Sequence, residues 1–138
     1  MVARSQAGDS RLPATTIEGL SRSPLSAALS SGDLIFTSGQ TGKDLATGTV
    51  PKAFEDQVRV ALRNLDMVLK AAGGSMGSVA KTTVYLVSAS DFAAMNSIYA
   101  QHFDSPYPAR STLVVAALAA PELKFEIEAI AVRDEPAS

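Results

Sequence analysis

Charged side chains that could act on a small molecule lie in the last third of the chain. Arg110 follows Tyr107 and Pro108 and opens the run STLVV. Pro108 restricts the backbone just before the arginine, and a guanidinium offers paired donors that match a carboxylate. This motif indicates a site for a carboxylate-bearing ligand, although a surface ion pair is the commoner role of a single arginine.

Two glutamates form the second candidate group. Glu126 and Glu128 alternate with apolar residues in KFEIEAIAVR (124–133), so they share one face of a predicted strand. Such a pair usually faces solvent or protects a sheet edge, and spacing alone favours this interpretation. The functional alternative is a carboxylate held in a cleft, where it orients or deprotonates water. The segment TSGQTG (37–42) lacks the glycine spacing and the lysine of a phosphate-binding loop.

Composition excludes several kinds of chemistry. The 138 residues include no cysteine and one histidine, His102, so thiolate chemistry and any site that needs two histidines are excluded. The histidine is most simply a polar residue near a helix end. A net charge of −2 without a basic run argues against a nucleic-acid partner. No apolar stretch could span a bilayer and the N-terminus lacks a signal-peptide core, so we expect a cytoplasmic protein without a membrane partner.

The hydrophobic pattern predicts the elements that must position these residues. Apolar residues at spacings of three and four predict a helix over 51–72, with Gly73 as its left-handed cap. A second helix is predicted over 91–103. Strands are predicted at 34–39, 78–87, 110–118 and 124–133. This order indicates an α+β fold, an α/β sandwich in which two helices pack on one face of a mixed sheet. We expect a single domain over 1–138, with loose tails at about 1–12 and 134–138.

The other face of the sheet needs a cover. Two helices can cover only one side, yet LVVAALAA (113–120) is apolar on both faces of its predicted strand. A second copy of the chain is the simplest cover for an apolar face, so the pattern predicts a homo-oligomer.

Six stretches together resemble one family. In order along the chain they are FTSGQTG, FEDQVRVALRNLDMVLKAAGGS, VAKTTVYL, DFAAMNSIYAQHF, PYPARSTLVV and FEIEAIAV. From about Gly32 to Val132 they are similar to the RidA/YjgF family, also called the L-PSP endoribonuclease family. The resemblance implies a chorismate-mutase-like fold and a homotrimer whose sheets form a central barrel, with ligand clefts between subunits. RidA-like members hydrolyse reactive enamines and imines to 2-keto acids and ammonia, without a metal or an organic cofactor.

The resemblance also implies roles for individual residues. Arg110 grips the substrate carboxylate, and Glu126 positions the attacking water. Ser38 and Gly39 line the pocket, and Asn96 of the second helix lies near it.

Two pocket positions depart from the family pattern. Leu25 stands where many deaminating members have tyrosine, and Thr112 stands where many have cysteine. Carboxylate binding should survive both changes, whereas the preferred substrate should shift toward imines with longer apolar side chains. Two alternatives stay open: a non-catalytic small-molecule-binding or chaperone-like trimer, and a pathway-specific deaminase of the 2-aminomuconate or aminoacrylate type. An endoribonuclease has the least support.

Overall fold

The order of helices and strands follows from a computed structural model, which describes residues 12–17 and 23–134. Short 3-10 turns, Met76–Ser78 and Ala89–Asp91, precede the fifth strand and the second helix. The longer elements are β1 (Ala14–Thr15), β2 (Ala28–Ser31), β3 (Leu34–Thr37), β4 (Gln40–Thr41), α1 (Phe54–Ala71), β5 (Val79–Leu86), α2 (Phe92–His102), β6 (Ala109–Val114) and β7 (Phe125–Val132).

In these residues, seven strands form one mixed sheet. The order is β1-β2-β3-β7-β5-β6, and β4 pairs with β7 beyond the end of β3. Only the β5–β6 pair is parallel, because α2 carries the chain back between these two strands. The predicted α+β class with a mixed sheet and two helices is confirmed.

The helices pack on one face of the sheet and leave the other uncovered. The core lies between α1 and the inward residues of β7, which are Phe125, Ile127, Ala129 and Ala131. Burying a Leu or Phe side chain contributes about 1.5–3 kcal/mol, so this layer of contacts holds the helix to the sheet. At the end of α1, Gly73 has a φ of +93° and Gly74 donates its N–H to the Leu69 carbonyl at 2.8 Å, which confirms the predicted cap.

The apolar residues of the uncovered face differ from those predicted. Strand β6 ends at Val114 instead of continuing to Leu118, and 115–122 runs in bends and a turn. β6 is an edge strand, so it has no partner once β5 ends at Leu86. The predicted strand over 110–118 was therefore wrong beyond Val114, and the apolar run 113–120 does not form a strand with two apolar faces. We call the side of the sheet away from the helices the outer face. Its exposed apolar side chains are Leu34, Phe36, Leu113 and Val132, with 40–44% of each accessible.

Other differences are local. Ala80 is exposed because a register shift between Val79 and Lys81 takes it out of the alternation. α1 begins at Phe54, after an extended Ala53, rather than at residue 51. β2 pairs with β3 where no strand was predicted. The predicted tails lie outside the described residues apart from their inner ends. No helix in 12–17 and 23–134 has the length and apolar character needed to cross a membrane.

Candidate functional site

Arg110 lies against two aromatic rings on the helix-facing side of the sheet. It is the parallel partner of Thr82, which is buried beneath α2. The guanidinium carbon is 4.8 Å from the ring centroid of Tyr99 and 5.7 Å from that of Phe92. Its Nη1 is 3.9 Å from Sδ of Met95. Ring faces attract a cation at these distances, so the guanidinium is held in one place.

Tyr99 is itself anchored. Its hydroxyl shares a buried 2.8 Å hydrogen bond with Oγ1 of Thr82. Burial raises the pKa of Tyr99, while the hydrogen bond with Thr82 and the charge of Arg110 act in the opposite direction. A neutral, fixed ring therefore supports the arginine.

A cleft opens beside this group. Its volume of about 500 Å³ suits a small molecule, and it is lined by Asn96, Tyr99, Ala100, Tyr107, Pro108 and Arg110. The structure thus brings Arg110 and Asn96 together at one cleft. Thr112 lies two residues along β6 on the same side of the sheet, since its partner Val84 is buried beneath the helices.

The second predicted group is built around a bulge. Phe36 pairs with Ile130 and Gln40 with Ile127, so the chain has one extra residue between β3 and β4. The bulge presses Gly39 against Glu126: a Cβ on Gly39 would lie 2.0 Å from Oε2 of that glutamate. Because glycine has no Cβ, the carboxyl of Glu126 can lie directly over the Gly39 backbone.

Ser38 is hydrogen-bonded to the segment that follows Leu25, another residue predicted for the site. Its hydroxyl donates to the Ser26 carbonyl at 2.5 Å, and its N–H donates to the Ala27 carbonyl at 2.9 Å. Leu25 immediately precedes Ser26 and is 47% exposed. Leu25 therefore lies at the same end of the sheet as Ser38.

The carboxyl of Glu126 is partly buried and holds its proton more firmly than usual. Burial raises the pKa of Glu126, and the neighbouring Glu128 raises it further. No side chain in 12–17 or 23–134 donates a hydrogen bond to this carboxyl, which is therefore available to a ligand or a water.

The two groups lie on opposite sides of the sheet. Arg110 is in register with Thr82, whereas Glu126 is in register with Tyr85, three residues further along β5. Side chains alternate along a strand, so positions three apart point to opposite faces. One chain therefore does not bring Arg110 and Glu126 to a common ligand.

His102 belongs to neither group. Its Nδ1 is 2.9 Å from the Ile98 carbonyl, in keeping with the predicted helix-end role. It lines a separate cavity of about 420 Å³ with Arg59, Arg63 and Asp66.

Sequence reasoning missed the support that Tyr99 gives to Arg110. Tyr99 lies on α2 with 4% of its surface accessible. The available signal was its hydroxyl, which needs a partner when the ring is buried.

The chain matches a known family over most of its length. The model described as Endoribonuclease L-PSP matches residues 16–133. The 2-iminobutanoate/2-iminopropanoate deaminase of Capra hircus is 43% identical over 111 residues, which are 80% of this chain and 80% of that protein. The chain therefore belongs to the RidA/YjgF family, the family of the L-PSP endoribonuclease model.

Solved structures share the fold. RidA from an Antarctic Psychrobacter species has a TM-score of 0.83 and 32% identity, covering 87% of this chain and 98% of its own. E. coli TdcF with bound serine has a TM-score of 0.82 and 37% identity, covering 88% of this chain and 99% of its own.

Proposed function

We propose that this protein hydrolyses reactive enamines and imines of amino acids to 2-keto acids and ammonia, in a cleft completed by a second copy of the chain. The observation that carries the proposal is the position of Arg110: a guanidinium fixed on two rings, at the wall of a cleft sized for a small molecule. The name of the goat relative supports a 2-imino acid as substrate, and the serine bound to TdcF supports an amino-acid-sized ligand.

The guanidinium of Arg110 would hold the substrate carboxylate through paired hydrogen bonds. Its Phe92 and Tyr99 contacts leave an apolar surface beside the ligand, and Asn96 adds an amide donor and acceptor. Orientation matters because a protonated imine carbon is already electrophilic, so the protein mainly has to place a water beside it.

Glu126 would supply that water. As a carboxylate it accepts a proton while the water oxygen bonds to the imine carbon and the C=N π electrons move to nitrogen. Glu126 then returns this proton to the amino nitrogen of the carbinolamine, the C–N bond breaks with release of ammonia, and the hydroxyl proton is lost to water as the carbonyl of the 2-keto acid forms. One water is consumed and one ammonia is released, with no change of oxidation state.

The geometry supports a site shared between copies of the chain. The helix-facing site of Arg110, Asn96 and Thr112 would meet the Glu126, Ser38 and Gly39 group of a neighbouring copy, with Leu25 at the rim. The exposed apolar side chains of the outer face support burial of this face against other copies. We propose the homotrimer that the family resemblance implies, with the outer faces turned inward as a barrel.

The test generates short-lived imines in situ with an amino-acid oxidase and follows 2-keto acid release. Arg110→Ala should lower kcat/KM by about tenfold to a hundredfold, since a charge-assisted contact contributes about 1.5–3 kcal/mol. Arg59→Ala is the matched control, because Arg59 lies on the exposed side of α1 and pairs with Asp56. Parental rates in an assembled Arg110→Ala protein would refute the proposal.

A second outcome would support binding without turnover. Leu25 and Thr112 replace side chains common in deaminating members, so the pocket lacks a phenol and a thiol there. If no imine is hydrolysed while a 2-keto acid still binds in an Arg110-dependent manner, the protein is a small-molecule-binding member of the family.

A further inference from the structure

The outer face carries a second carboxylate beside the proposed water-positioning residue. Glu126 and Glu128 are alternate residues of β7, so their Cα atoms are about 7 Å apart. Tyr85 of β5 lies directly opposite Glu126. Its hydroxyl nevertheless passes this neighbour and donates to Oε1 of Glu128 at 2.5 Å. The diagonal hydrogen bond fixes the Glu128 carboxylate and leaves Glu126 without a phenol donor.

Tyr85 keeps its proton for this role. The hydrogen bond to Glu128 raises the pKa of Tyr85, and burial and the two negative charges add to the effect. The hydroxyl is therefore a donor throughout the neutral range. The Tyr85 hydroxyl therefore holds the Glu128 carboxylate in place by a hydrogen bond.

The other surroundings of Glu126 bring little charge. On β4 its cross-strand neighbour is Thr41, which is uncharged, and the bulge presents Gly39. On the β5 side its neighbour is Tyr85.

Two lysines share the outer-face alternation, but both amino groups are engaged elsewhere. Lys124 donates to the Lys52 carbonyl at 3.0 Å, in the loop before α1. Lys81 donates to Oγ of Ser111 at 2.7 Å, on the side of β5 away from β7. Among the described residues of one chain, Glu128 is thus the charged side chain that faces Glu126 across one pleat, and in the proposed shared cleft the neighbouring copy would add Arg110.

We propose that the Tyr85–Glu128 pair sets the pH range in which Glu126 accepts a proton, with Glu128 as a positioning residue that does not touch the substrate. The inference rests on the proposed function of Glu126. A fixed negative charge one pleat away makes ionisation of Glu126 harder and its carboxylate a stronger base. Activity is then present above the raised pKa of Glu126 and is lost as the pH falls through it.

Glu128→Gln tests the inference through a pH profile. Removing the neighbouring negative charge should move the acid limb of kcat/KM to lower pH, because Glu128 raises the pKa of Glu126. Glu55→Gln, an equal charge change on exposed α1, should leave the limb in place. Tyr85→Phe should shift the acid limb of kcat/KM in the otherwise unmodified protein. The same substitution should cause no additional shift of that limb in Glu128→Gln.

Two measurements separate this inference from the proposed function. Carbon-13 NMR of the Glu126 carboxyl reports its titration without any substrate, and its midpoint should also move to lower pH in Glu128→Gln. In the unmodified protein, about 1 M salt should lower the midpoint, since screening weakens the interaction. The salt titration needs no variant to fold. An unmoved midpoint in both measurements overturns the inference, whereas a moved midpoint without imine turnover overturns only the proposed function.

Discussion

Mixing two inactive variants tests whether the site is shared between chains. Arg110→Ala removes the carboxylate contact and Glu126→Gln removes the proton acceptor, and the two residues lie on opposite faces of the sheet of one chain. If each cleft takes Arg110 from one copy and Glu126 from the next, a mixed oligomer contains clefts with both residues intact. Neither variant alone contains such a cleft.

The expected activity follows from how the two variants combine around each cleft. In a random 1:1 mixture, about one quarter of the clefts combine an intact Arg110 with an intact Glu126, whatever the number of subunits in a ring. Each pure variant should retain at most about one tenth of the parental kcat/KM, because each loses about 1.5 kcal/mol or more. Co-expressed, differently tagged chains should therefore recover about one quarter of parental activity before selection on the tags, and about one third as mixed trimers, in which one cleft of three has both residues intact.

The assay is imine hydrolysis after purification on both tags, with native mass spectrometry to establish that the oligomers are mixed. Arg110→Ala chains co-expressed with differently tagged Arg110→Ala chains are the control and should stay inactive. Mixed oligomers with no more activity than the mean of the two variants would refute a site shared between chains. Particles that run as monomers in light scattering would refute it as well.

Three further substitutions test individual contacts. Tyr99→Leu removes the ring beneath the guanidinium and should raise KM by about 2- to 30-fold, whereas Tyr99→Phe should keep KM and lower stability by about 1 kcal/mol in denaturant unfolding. Gly39→Ala should displace the Glu126 carboxyl and cut kcat/KM by about tenfold or more. Gly77→Ala is the control, since its Cβ has room and kcat/KM should not fall. Equal kcat/KM for the two variants would contradict the close approach of Gly39 to Glu126. Leu25→Tyr should reduce the preference for imines with long apolar side chains over small polar ones, since one apolar contact discriminates by about 1–3 kcal/mol; equal rates across an imine panel in the parent would remove Leu25 as a determinant.

Local patterns predicted most of the elements. The three-and-four spacing of α1 and the alternation of β7 are recorded directly in residue order, since each reflects one buried side of one element. The cap at Gly73 was predictable because it is also local: glycine readily takes the positive φ that ends a helix. β6 was overextended, because the chemistry of 115–118 cannot indicate that the neighbouring strand has already ended.

The residues of the candidate site were nameable from the sequence, but their grouping was not. PYPARS marks Arg110 through local chemistry and family resemblance, whereas FEIE marks Glu126 through family resemblance alone. Strand order, the parallel β5–β6 register and the β3–β4 bulge place Arg110 on Tyr99, Glu126 on Gly39, and the two groups on opposite faces. These relations join residues distant along the chain, so they depend on how strands pair, and only the tertiary structure decides that pairing.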